Sequence, residues 1–355
     1  MLLRVRDLLG RNACQYIDVE RVATTPERLF QSIRDVSPFA FHTSPVGART
    51  DVTARTAFDA TLTWLGTARA PGDAPATFLL DEFLELRTFE SFPGLRSVLR
   101  DLIASLAAAG NRFVLTSRYS ARALRVLRDA PHQFEIIHVA PLSAAEIRAT
   151  LPTGSELDRA ATGVSEAEDD RARDEFARLV QALSEGRPTY ARMLVDTATA
   201  MATRGTPDPV SALAALLGPG GALALHCQYC YELRLHRARG YGALKAILEV
   251  LAQQEPLTLT EIAQRLHRTP GSTKDYLSWL EDVDLIASHQ KRYSFADPML
   301  RLWVRLHCRA VPPADEDIAR EVHAYVQARL PHAEPALALS AAVEREKNWG
   351  IIEID

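Results

Sequence analysis

Asp81 and Glu82 are neighbouring carboxylates at the end of a short apolar run, Thr77-Phe78-Leu79-Leu80, and Phe83 follows them. A second run, Arg112-Phe113-Val114-Leu115-Thr116, ends in Ser117-Arg118. These residue types suit phosphoryl transfer. That chemistry needs a hard cation on oxygen ligands, an oriented water and positive charge beside the transferred group. The elements that must position them follow from the pattern. Short continuous apolar runs read as strands buried on both faces, as in a parallel sheet. Open α/β sheets take their ligands at the carboxyl ends of such strands. An amphipathic helix over Pro93–Ala109, closed by Gly110, connects the two runs. The competing reading is that Asp81-Glu82 begins a helix, where acids favour the dipole.

Composition sets the bounds. The chain has 355 residues, which suggests two or three domains. Its residues are 47% hydrophobic and 24% charged, enough for an ordinary core. A net charge of −4 gives no global argument for nucleic acid, so any such contact needs a local basic face. No apolar run is long enough for a membrane span, and the charged start Met1-Leu2-Leu3-Arg4-Val5-Arg6-Asp7 does not read as a secretory signal. Four cysteines make no disulfide framework, and a cytoplasmic setting is expected.

Along the chain, Met1–Leu9 reads as a helix ended by Gly10, and Gln15–Val19 as a strand. Thr25-Pro26-Glu27 opens a further helix. Ser37–Arg55 is loop-rich, and a helix is expected around Ala57–Gly66. After Arg118 come a helix, Ala121–Asp129, and an expected edge strand, Phe134–Val139. Ser143 and Glu146 form a capping pair at a helix start. Thr153–Asp174 reads as a surface excursion, and Asp174–Leu183 and Ala191–Thr203 as helices separated by Gly186-Arg187-Pro188. Thr206–Gly221, rich in Pro and Gly, is a hinge or linker candidate.

The two runs with their polar ends resemble the Walker B and sensor 1 segments of P-loop ATPases of the AAA+/STAND, archaeal-type group. The resemblance implies that Asp81 holds the Mg²⁺ of bound ATP and that Glu82 polarises the attacking water. It makes Thr116 or Ser117 the sensor polar residue and lets Arg118 face the γ-phosphate. Pro141–Ile147 resembles the start of the helical lid. Gly186-Arg187-Pro188 resembles the turn between lid helices, so that Arg187 or Arg192 could serve as a sensor 2-like arginine; an ordinary turn is the alternative. One element of the family is not found: the sequence contains no G-x-x-x-x-G-K-[ST]. Either the start lies further upstream, or the chain is degenerate and binds nucleotide poorly.

Gly240–Leu306 has the order of a winged helix-turn-helix: Tyr241–Ala252, Glu261–Leu266, Ser272–Asp282, then a hairpin at Leu285–Ser288 and Arg292–Phe295. Phe295-Ala296-Asp297-Pro298 with Arg301 and Trp303 resembles the tail that follows this module in archaeal-type ATPases. Ser272, Thr273 and Lys274 on the second helix, with Lys291 and Arg292 on the wing, are the candidate DNA contacts. One Lys against Asp275, Glu281 and Asp282 makes a poor phosphate-binding face, so a packing role for the module stands beside the DNA role. His226, Cys227 and Cys230 share a helix, where cysteines more often pack as small hydrophobes than bind zinc. Helices are expected over Asp315–Ala328 and Pro335–Glu346, and an extended apolar piece over Asn348–Asp355.

The expected architecture is an α/β P-loop NTPase core, a parallel sheet whose first strand and phosphate loop are missing, with a helical lid and a C-terminal winged helix-turn-helix domain. Its divisions are core 1–140, lid 141–205, linker and connecting helix 206–239, winged helix 240–306 and helical tail 307–355. The expected function is an ATP- and Mg-dependent switch coupled to the winged helix, N-terminally truncated as given. Double-stranded DNA, a protein partner or a second copy are the further partners to consider, and no membrane. The alternative is a non-catalytic DNA-binding or partner-docking regulator that keeps the ATPase fold.

Overall fold

The computed structural model describes residues 1–39, 53–128, 134–151, 166–202, 207–238 and 240–330. Two compact units divide the chain: Met1–His138 with Lys274–Ser288, and Val139–Thr273 with the remainder from His289.

A parallel sheet lies at the centre of the first unit, in the order Cys14–Asp18, Thr77–Asp81, Arg112–Leu115. The register sets Asp18 opposite Asp81 and Leu80 opposite Leu115. Thr77–Asp81 is the middle strand because its run is apolar on both faces: Phe78 and Leu79 are fully buried and Leu80 nearly so. Phe78 stacks on Phe113 of the next strand at 5.7 Å between ring centroids and meets Phe39 edge-on at 5.3 Å. Asn111 fixes the approach to the sheet. Its amide donates to the carbonyls of Leu65 (2.8 Å) and Ala68 (3.0 Å), and its oxygen accepts from the Ala76 N–H at 3.0 Å. One buried side chain thereby satisfies the end of the Ala54–Thr67 helix and the start of the middle strand.

The helix Leu2–Leu9 ends at Gly10, whose φ of 91° suits glycine alone. Pro26–Asp35 begins where Thr25 caps the Arg28 N–H and Pro26 takes the first turn. Val98–Ala108 turns Leu99, Leu102, Ile103 and Leu106 inward. Its start differs from the expected one at Pro93, because Phe83–Ser91 forms a tight 3₁₀ stretch with Phe83, Leu84, Leu86 and Phe89 buried, and Pro93 and Gly94 separate the two. Phe134–Val139, expected as an edge strand, is no strand. Ile136 is 49% and Ile137 78% exposed. Nothing among the described residues pairs with this segment, and a strand needs a ladder for its backbone groups.

The second unit is mainly helical. Glu166–Ser184 and Pro188–Met201 are joined through Gly186, whose φ is 67° and whose carbonyl accepts from the Leu142 N–H at 2.7 Å. The Pro- and Gly-rich stretch contains a helix, Pro209–Leu217, capped by Asp208 and burying Ala212, Leu213, Leu216 and Leu217. Ala222–Arg237, Tyr241–Gln253, Pro298–His307 and Asp315–Gln327 follow. Between them come a capping-box helix Leu259–Arg265, the helix Pro270–Asp282 that crosses from one unit into the other, and a small sheet in the order Leu257–Thr258, Arg292–Phe295, Ile286–His289. Asp297 is the hub here. It is 5% exposed, accepts from the N–H groups of Met299 (3.0 Å) and Leu300 (3.3 Å), and takes the Tyr190 hydroxyl at 2.7 Å. The expected pieces Pro335–Glu346 and Asn348–Asp355 lie outside the described residues. No single helix among the described residues is long and apolar enough to cross a membrane.

Candidate functional site

The site is built at the carboxyl end of the middle strand. Asp81 is the last residue of that strand, and Glu82 follows in the left-handed region at φ 54°, ψ 49°. A non-glycine residue held there costs of order 1 kcal/mol or more, so the surroundings must impose it. Thr116, just beyond the next strand, does so. Its N–H bonds the Leu80 carbonyl at 3.0 Å and its carbonyl takes the Phe83 N–H at 3.1 Å. Its hydroxyl donates to Asp81 Oδ1 at 2.5 Å and accepts from the Glu82 N–H at 3.3 Å. The turn from Leu80 to Phe83 is therefore zipped onto one residue: Asp81 ends the strand, and Glu82 stands directly before the 3₁₀ stretch Phe83–Ser91.

Tyr16, on the opposite neighbouring strand, donates its hydroxyl to Asp81 Oδ2 at 2.8 Å. Burial and that bond push the phenol up to about 12, which keeps it a donor. Nothing in the sequence marked Tyr16 beyond its place in the expected Gln15–Val19 strand; its neighbourhood to Asp81 comes from the strand pairing.

Glu82 faces Arg118. The guanidinium Nε lies 2.9 Å from Glu82 Oε1, and the Arg118 N–H reaches Oε2 at 3.2 Å. Arg118 also meets Glu20 at 2.5 Å, so one cation stands between two acids. Burial raises the Glu82 pKa, and Arg118 opposes that rise. For Arg118 burial acts downward, but Glu82 and Glu20 outweigh it and the guanidinium stays charged. The Ser117 hydroxyl accepts the Tyr119 N–H at 2.9 Å. Of the two hydroxyls considered for the sensor position, Thr116 is the one on Asp81.

Asp81, Glu82, Thr116 and Arg118 thus lie together at one strand tip. Arg187 is in the second unit, 3.4 Å from Asp297 and donating to the Ala296 carbonyl at 2.8 Å. Arg192 is exposed beside Asp196. Of the expected DNA contacts, Ser272, Lys274, Lys291 and Arg292 are exposed. Thr273 is a correction: it is fully buried with its hydroxyl on the Thr269 carbonyl at 3.0 Å, and a buried side chain reaches no phosphate. Arg292 lies 3.8 Å from Glu261. Cys227 is fully buried, and Cys230 Sγ lies 3.6 Å from His226 Nε2. No group of three or more His, Cys, Asp or Glu among the described residues is placed to hold a metal ion.

No protein-family model matches the chain, and no curated protein does. Among solved structures it is similar to the Walker-type ATPase of Pyrococcus abyssi, with a TM-score of 0.55 at 16% identity over 85% of this chain and 86% of that one. RuvB of Thermotoga maritima overlaps at TM-score 0.28, 16% identity, 66% of this chain and 70% of the other. A STAND protein with a tetratricopeptide repeat sensor from Pyrococcus horikoshii overlaps at TM-score 0.30, 15% identity, 98% of this chain and 43% of the other. At those two scores the overlap carries no argument. The first likeness shows the fold: this chain has the α/β fold of a Walker-type, P-loop ATPase.

Proposed function

We propose that the chain is a nucleotide-dependent switch on the P-loop ATPase fold, with Asp81 and Glu82 at the magnesium end of an ATP site. The observation that carries this reading is the Thr116 hydroxyl, which bridges Asp81 Oδ1 and the Glu82 N–H and so fixes both acids at one strand tip. Asp81 and Thr116 offer hard oxygens, which suit magnesium, an ion commonly held by one or two carboxylates with phosphates and waters completing its shell. When bound, the ion neutralises phosphate charge. Glu82 is the water-orienting base, and its raised pKa suits proton acceptance. Arg118 is the cation for the transferred group, once it leaves Glu82. The 355 residues contain no G-x-x-x-x-G-K-[ST], so the reading rests on Asp81, Glu82, Thr116 and Arg118.

A second reading is the non-catalytic regulator, and one observation favours it. Both Asp81 oxygens and the Glu82 carboxylate already have protein partners in Tyr16, Thr116 and Arg118. We read Gly240–Leu306 as the winged helix. Its acids Asp282 and Asp284 contact Arg125 and Ser120, which supports packing over DNA reading.

Titration of Mg-ATP into the full chain, with and without magnesium, separates the two readings. The switch predicts magnesium-dependent binding that weakens at least about tenfold in Asp81→Asn, whereas Glu82→Gln retains binding and loses any turnover. Binding that ignores both magnesium and Asp81→Asn rejects the site and leaves the regulator.

A further inference from the structure

We propose that Ser117–Ala121 couples the acid pair to the Lys274–Ser288 segment, so that the partner of Arg118 sets how firmly that segment is held. Both ends of the coupler lie in the first unit. At one end Arg118 binds Glu82 and Glu20. Two residues on, the first N–H groups of the Ser120–Leu127 helix hold Asp284. Ser120 donates to Oδ2 at 2.6 Å, and Ala121 donates to Oδ1 at 3.3 Å. Asp284 sits at φ 49°, a left-handed conformation that points to a position fixed by its contacts. One helical turn further on, Arg125 meets Asp282 at 2.5 Å and Arg122 lies 3.8 Å from it.

Three features make this contact a device rather than incidental surface charge. Carboxylates on the N–H groups of a helix start combine charge-assisted hydrogen bonds with the helix dipole. No residue of the Ser120–Leu127 helix is fully buried, so its packing is partial and the contacts to Asp282 and Asp284 add to it. Tyr119, between the two ends, is 4% exposed and gives the segment a fixed pivot. When Arg118 leaves Glu82 for an anion, the backbone on either side of Tyr119 shifts, and the N–H pair moves off Asp284. The identity of that anion rests on the nucleotide reading; the mechanical link does not.

Hydrogen exchange on the full chain tests the link without nucleotide. Arg118→Gln, a change at a half-exposed side chain, is expected to speed exchange at least about fivefold in amides 120–127 and in 276–288. Asp284→Asn loosens the same amides directly and shows that the method sees them. If Asp284→Asn loosens them and Arg118→Gln does not, the coupling is overturned. A third arm adds Mg-ATP to the wild type. A silent response there, with the Arg118→Gln loosening intact, removes the nucleotide reading and supports the link.

Discussion

Thr116 carries more of the site than either acid does. Its hydroxyl is donor to Asp81 and acceptor for Glu82, and its backbone brackets the turn on both sides. Thr116→Val keeps the shape and removes both hydroxyl bonds, which leaves a half-buried carboxylate short of a donor. The expected cost is about 1–3 kcal/mol, against less than about 0.5 for Ser117→Ala, whose bond is local. Denaturant midpoints of the two variants check this; equal effects remove Thr116 from its organising place. The residue scale also shows where sequence reading stops. Asp81 and Glu82 stood out in the sequence because they end an apolar run, and the structure adds that the run is a strand with the acids at its tip. Thr116 and Ser117 could not be told apart, because both are hydroxyls at one strand end and only the left-handed turn at Glu82 selects between them. Tyr16 and Asp284 were silent, because their partners lie 65 and 164 residues away in sequence.

Among the elements, the turn at Gly186 is the most demanding. A Cβ there lies 2.3 Å from the Leu142 carbonyl oxygen and 2.8 Å from its nitrogen, and φ is already 67°. Gly186→Ala therefore strains the backbone and forces Leu142 away, at about 2 kcal/mol or more, seen as a lower melting temperature. Unchanged melting contradicts the close approach. The Gly-x-Pro pattern was readable from sequence as a turn between helices. Its reason, the backbone of Leu142 lying against it, was not, because contacts distant in sequence leave no local pattern. The same limit explains Phe134–Val139. Apolar alternation names a strand, but a strand forms only where a ladder partner lies alongside. Around Asp297 the sequence offered only a resemblance to the tail that follows a winged helix; the structure adds that Asp297 caps a helix and that Tyr190 and Arg187 share its carboxylate.

At the scale of the molecule, the strand–helix–strand order and the parallel sheet followed from hydrophobic runs and caps, and the sheet and its site lie in one unit. Placement of Lys274–Ser288 in that same unit was not foreseeable, since the segment continues a helix begun in the other. Asp282, one of the acids read from sequence as a poor phosphate-binding face, has Arg122 and Arg125 as partners, and Asp284, two residues on, takes helix N–H groups. The charge pattern was legible, and the partner was not. The proposed switch requires that a divalent ion carried by a nucleotide come to the tip of the Thr77–Asp81 strand. Substituting paramagnetic Mn²⁺ for Mg²⁺ in the ATP complex and recording amide line broadening locates that ion directly. The account predicts broadening at Glu82, Thr116 and Arg118, lost in Asp81→Asn. Broadening centred elsewhere, or unaltered by Asp81→Asn, contradicts it.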